Sequence, residues 1–315
     1  MLGTIIIASD QTGEVHDGSR WDSPRGPWAT VEVLGKPSIS RLAETFGKEC
    51  DFVSVIADEP NDGPSGGESC GFSIPERATD YCARYRQAGC EAIMIVRCGA
   101  YMEIDVAEMF AFHREQGLGA TQATAGDGPL DAWMIDSCSV LDTGTFFASD
   151  FPFASYRSQG YVNRLRSPQD FRRLVLDSLS CGLFRLEGSE IRPGVWICDG
   201  VQIDRSARIV APAFIGRNVQ ISDECLITRG SNIERNSRID FGTAIENSSI
   251  LPNTYVGIGL DLSHSVVDGR SLFNLRHNVN LEISDPVVLR RNTVHGRERQ
   301  FADIGSLPWA LSSAE

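Results

Sequence analysis

An isoleucine returns every sixth residue from Ile191 through Ile197, Ile203, Ile209, Ile215, Ile221, Ile227, Ile233 and Ile239 to Ile245, and Leu251 continues the series. The position four places after each is mostly small or compact: Val195, Val201, Ala207, Ala213, Val219, Cys225, Ser231, Ser237, Thr243 and Ser249. This is a hexapeptide repeat. Its physical reading is a parallel β-helix in which each hexad supplies one short strand and one turn, and stacked neighbours form an internal isoleucine ladder. One coil cannot bury its own apolar face, so the repeat must run through several.

Before residue 190 the pattern changes. Residues 2–8 are a continuous apolar stretch bounded by Ser9 and Asp10, which reads as a buried parallel strand leading into a loop over 10–30. A second strand and turn follow at 31–37, and the Gly, Pro, Ser and Asp run that ends at Gly71 reads as loop. Helices are expected over 38–46, 79–88, 106–116 and 168–179, and further strands over 51–57, 92–96 and 133–140. Met109, Ala111 and Phe112 mark the apolar side of the third helix. Such alternation means an α/β layer fold with a largely parallel sheet. The chain therefore divides into an α/β domain over 1–182, a β-helix over 183–285 and a tail over 286–315.

Charge and cysteines narrow the function classes. A net charge of −13 argues against nucleic acid or an anionic membrane surface as the main partner, because phosphate backbones require a basic footprint. The apolar run at the start has no basic region before it and is too short for a signal peptide or a membrane span, so a cytoplasmic protein is expected. Nine cysteines with no C-x-x-C pair point to reduced, partly buried thiols rather than a disulfide frame or a zinc site.

Four phrases stand in order along the chain: VEVLGKPSISRLAETF at 31–46, EIDVAEMFAFHREQGLGATQA at 103–123, GYVNRLRSPQDFRRLV at 160–175 and NTYVGIGLDLSHSVVDG at 253–269. Together they resemble the sugar-1-phosphate nucleotidyltransferases, the NDP-sugar pyrophosphorylases, especially those with a C-terminal left-handed β-helix. The resemblance implies a nucleotidyltransferase-like, Rossmann-like α/β domain, here shortened, followed by a left-handed parallel β-helix. With about three hexads per triangular coil, the repeat would make roughly three and a half coils.

The activity implied is attack of a sugar phosphate on the α-phosphate of a nucleoside triphosphate, with positioning and charge neutralisation by Mg²⁺ and basic side chains. The family's glycine-rich loop would be Ala8-Ser9-Asp10-Gln11-Thr12-Gly13, which lacks the paired glycines and the following Thr-Arg. Asp10 and Glu14 would repel a triphosphate there. Trp28 stands where the family has a lysine, and Arg25 is the nearest substitute, from a shifted position. The two metal-binding aspartates would follow Gly99 and Gly160, but those positions hold Ala100 and Arg164. A methyl group and a guanidinium do not replace two hard anionic ligands.

These departures favour a catalytically degenerate member. It would bind a nucleotide or NDP-sugar through Ala8, Ser9, Gly13, Arg25 and Gly99, or serve as a regulatory or scaffolding subunit beside a catalytic paralogue. The alternative is an active pyrophosphorylase that needs Mg²⁺ and relocates its ligands to Glu103 and Asp105, facing the loop over 10–28. Asp105, however, matches a residue the family already has at the start of the next helix.

Hexapeptide β-helices also resemble acyltransferases, which use a histidine base at a coil edge between subunits. The ladder itself contains no histidine. His264, just past it, is the candidate for that third reading, against a structural role. His277 follows, and the histidine spacing does not support the three-histidine zinc site of a γ-type carbonic anhydrase. His113 and Cys225 read as packing residues, Trp21, Trp28 and Trp133 as core or as a stacking face, and Arg290, Arg291, Arg297 and Arg299 as a solvated tail. The open ends and flat faces of a β-helix lead us to expect a homo-oligomer, a dimer before a trimer.

Overall fold

The computed structural model describes residues 1–8, 31–57, 74–126, 128–138 and 152–292. These form two compact units: 1–8, 39–57, 74–126, 128–138 and 152–164 in the first, 31–38 and 165–292 in the second.

The first unit is a mixed α/β layer. Its sheet runs in the order Phe52–Ala57, Leu2–Ala8, Ala92–Arg97, Gly128–Asp136, Ala120–Ala125, Ala154–Arg157. Leu2–Ala8 pairs in parallel with both neighbours, and its continuous apolar run is buried, as a strand covered on both faces requires. Gly128–Asp136 runs antiparallel between Ala92–Arg97 and Ala120–Ala125, with Ile95 opposite Trp133, so this one strand breaks the parallel pattern. The strand expected over 133–140 begins and ends earlier. The chain turns back at Gly128, whose φ of +125° a side chain rarely tolerates, and the strand ends at Asp136.

The helix Ile74–Gln87 starts earlier than the pattern suggested. In Val106–Gln116 the buried positions are Val106, Met109 and His113, while Ala111 is exposed. The helical stripe runs through a histidine because both its ring nitrogens find partners, Thr121 Oγ1 at 2.8 Å and Asp136 Oδ1 at 3.2 Å.

The second unit holds three sheets of parallel strands that the chain visits in rotation, an arrangement compatible with a β-helix. The first contains Val195–Ile197, Ala213–Ile215, Ser231–Ile233, Ser249–Ile250 and Ser265–Asp268. The second contains Gln202–Ile203, Gln220–Ile221, Arg238–Ile239 and Thr254–Val256, and the third Arg208–Ile209, Leu226–Thr228, Ala244–Glu246 and Asp261–Ser263. Stacked partners such as Ile203, Ile221 and Ile239 are three sequence periods apart, and their side chains fill one apolar core.

Two ends of the expected ladder differ. Ile191 lies in Ser189–Arg192, which pairs antiparallel to the first parallel strand, and it is 58% exposed. At the other end Ile250, not Leu251, takes the place opposite Ile233. One residue is missing from the turn after Ile245, so the small position moves from Ser249 to Ser248.

That small position is occupied by hydroxyls in the upper coils, and they tie each coil to the next. Ser237 and Thr243 donate to the carbonyls of Leu251 and Gly257, while the single O–H of Ser231 and of Ser248 lies nearer a carbonyl of its own coil, Thr228 at 2.6 Å and Glu246 at 2.8 Å, than those of Ile245 and Leu262. Ser231, Ser237, Thr243 and Ser248 each also accept a backbone N–H, from Ser248, Thr254, Leu260 and Ser265 respectively. At one corner Asn218, Asn236 and Asn253 all have left-handed φ, which asparagine tolerates best after glycine, and their side-chain amides bond in a column.

Candidate functional site

In the first unit, Ala8 closes its strand beside Ala57 and is buried. Gly99 follows Ala92–Arg97, and a Cβ there would meet no atom within 4 Å. Ala100 is 8% exposed. Ser9, Gly13 and Arg25, with Asp10, Glu14, Trp21 and Trp28, lie outside the described residues, as do Arg297 and Arg299.

Glu103 and Asp105 are drawn into local structure. Glu103 is half-buried, and its carboxylate accepts the Tyr101 hydroxyl at 3.1 Å. Its backbone N–H donates to Tyr161, and a side chain at Gly160 would collide with its carbonyl, so the 101–103 and 160–163 segments are held face to face. Asp105 is the N-cap of Val106–Gln116, accepting the Glu108 N–H at 2.7 Å. Arg164 donates to the carbonyls of Pro129 at 2.9 Å and Gly128 at 3.1 Å, pinning the start of the reversed strand. Among the described residues no three His, Cys, Asp or Glu side chains gather as a metal site.

His264 belongs to the second unit. It is half-buried with φ +50°, its Nδ1 is shielded without a partner, and its backbone joins Glu246 and Leu275. His277 is exposed. Cys225 is core, as its ladder position suggested. Arg290 lies over the Tyr255 ring at 3.5 Å.

One dense polar constellation among the described residues has no counterpart among the sites expected from the sequence pattern. The turn Val33-Leu34-Gly35-Lys36 joins two short antiparallel strands, with φ of +51° at Leu34 and +92° at Gly35. Consecutive positive φ values make the tight hairpin turn, and they aim both backbone N–H groups one way. Those two amides donate to the Glu234 carboxylate, each at 2.9 Å, and Asn232 Nδ2 adds a third donor at 2.7 Å. Beside them Glu32 pairs with Arg235 at 2.8 Å and Lys36 with Glu187 at 2.9 Å.

Asn232 also faces Arg172, on the helix Pro168–Cys181. The Arg172 guanidinium donates to Asn232, Ser249, Asn247 and the Gly230 carbonyl at 2.7–3.2 Å. Burial pushes the Glu234 carboxyl up to about 8, with Glu32 adding to the rise and the three donors opposing it. The same burial lowers Arg172 to about 9. The arrangement is an anchor for backbone and helix rather than a cleft. Its sequence signal is slight: Trp196, Phe214 and Asn232 stack in register, so the aromatic column turns polar at one coil.

No family model matches the chain, and no curated protein matches it in sequence. Among solved structures, HddC from Yersinia pseudotuberculosis is similar at 12% identity, over 55% of this chain and 97% of its own, with a TM-score of 0.38. That likeness is too slight to carry a fold or an activity across.

Proposed function

We propose that this chain is a sugar-nucleotidyltransferase-like protein that has lost catalysis and works as a regulatory or scaffolding subunit, with its second unit a left-handed parallel β-helix. The observation that carries the reading is Arg164. At the position where the resemblance asks for a metal-binding aspartate, a guanidinium is instead committed to the carbonyls of Gly128 and Pro129. A cation so placed opposes Mg²⁺, and the methyl group of Ala100 at the other position offers no oxygen. The residues at these positions do not fit the metal. Asp105, the nearest substitute, is engaged as a helix cap.

In this reading a nucleotide or NDP-sugar is held at the end of Leu2–Ala8 and beside Gly99. The partner is a catalytic paralogue or a second copy of the chain, in the cytoplasm. Among the described residues no helix is long and apolar enough to cross a membrane.

Thermal unfolding against a panel of nucleoside triphosphates and NDP-sugars, with and without Mg²⁺, tests this, since a ligand of the native state raises the midpoint by mass action. A shift with an NDP-sugar, independent of Mg²⁺ and without pyrophosphate release from any triphosphate, is the expected result. A Mg²⁺-dependent shift with one triphosphate, accompanied by pyrophosphate release that Glu103→Gln abolishes, would overturn it in favour of an active enzyme.

A further inference from the structure

One apolar row crosses the first sheet of the second unit from strand to strand: Ile197, Ile215, Ile233, Ile250, Val267, Leu272, Leu281. Val267 has no exposure, Leu272 is half-buried, and Leu281 is 46% exposed. The row thus runs out to an edge with its last member in solvent. That edge is the strand Val279–Glu282, all four residues of which are exposed, and among the described residues the sheet ends there.

The phase of the edge is set by its inner neighbour. Ile283 N–H donates to the Arg270 carbonyl at 2.9 Å, and bonded residues alternate along an antiparallel pair. Val279 and Leu281 therefore turn their backbone groups inward, while Asn280 and Glu282 present theirs to the outside. An exposed strand with unpaired backbone groups and an apolar face is a template for another strand.

We propose that this edge is a dimer interface, in which a second copy of the chain adds its own Val279–Glu282 strand antiparallel about a two-fold axis at Asn280. The strand is complementary to itself in that register. Asn280 faces Asn280 of the second copy, and Val279 faces Leu281 on both sides of the axis, on the face that continues the apolar row. The ends carry opposite charge: Arg276 precedes the strand and Asp285 follows it, while Glu282 is already paired with Arg270 in its own chain. Antiparallel pairing brings each basic end to the acidic end of the other copy, an arrangement that a parallel pair would reverse.

Sedimentation velocity on the full chain, from micromolar to hundred-micromolar concentration, reads the interface directly. The expected species is twice the 34.5 kDa chain. Asn280→Pro removes an N–H that bonds to nothing among the described residues, so it should give a monomer with wild-type far-UV circular dichroism. Leu281→Lys should do the same, whereas Leu226→Lys, an exposed apolar residue on another face, should leave the dimer intact. Amide exchange supplies a readout that needs no variant: protection at Asn280 and Glu282 should fall about tenfold or more on dilution to monomer. A wild-type chain that is monomeric throughout, a dimer that survives both edge substitutions, or amide protection indifferent to concentration would each overturn the proposal.

Discussion

Glu234 is a carboxylate with no solvent exposure, and each of its three partners is a donor. Burial nevertheless dominates and, with Glu32 nearby, raises its carboxyl from the ordinary value of 4.5 to about 8. A folded-state value above the unfolded one means that the native state holds a proton the unfolded chain has released. The contribution to stability is therefore complete below about pH 4.5 and is lost as pH rises through 8, with a slope of about 1.4 kcal/mol per pH unit where the two states differ by one proton. Urea unfolding across this window should show stability falling with pH in the wild type and a much flatter profile in Glu234→Gln. A variant that keeps the wild-type slope would place the titration elsewhere. Arg172 faces the same burial but spreads its charge over four acceptors, which is why a guanidinium rather than an ammonium suits the position.

Among the elements, the hydroxyl column matters as much as the isoleucine ladder beside it. Thr243 Oγ1 donates to Gly257 at 2.6 Å and accepts Leu260 N–H at 3.2 Å, so replacing it by the near-isosteric valine strands a part-buried donor and a buried acceptor. Thr243→Val should cost about 2 kcal/mol in chemical denaturation, and a neutral result would mean that water reaches those groups. The six-residue period made the stacked strands legible because ladder residues recur whatever the loops do. It overran at both ends for local reasons: Ile191 belongs to an antiparallel strand, and the shortened turn after Ile245 shifts the frame to Ile250. In the first unit, hydrophobic runs revealed Leu2–Ala8, Phe52–Ala57 and Ala92–Arg97 but not the more polar strands Ala120–Ala125 and Ala154–Arg157, nor the reversal at Gly128, which depends on backbone conformation rather than on apolar content. The site was legible only as a set of positions. That Asp105 caps a helix could be read from its place three residues before Glu108, whereas the carbonyls held by Arg164 could not, since they lie 35 and 36 residues away in sequence.

At the scale of the whole molecule, the second unit is not continuous in sequence: residues 31–38 belong with 165–292. A fragment of 165–292 alone would leave Glu234 without two of its three donors. Joining residues 31–38 to that fragment by a long flexible linker should raise its unfolding midpoint by a few degrees, since about 1 kcal/mol is worth roughly 3–4 °C in a domain of this size. Equal midpoints for the two fragments would show that the turn contributes nothing. The same arrangement has a consequence in time. Leu34 is made 200 residues before Glu234, and synthesis proceeds at about 5–20 residues per second. The hairpin thus emerges roughly 10–40 s before its acceptor exists, so a turn made early must wait, unfastened, while the chain between it and Glu234 is synthesised.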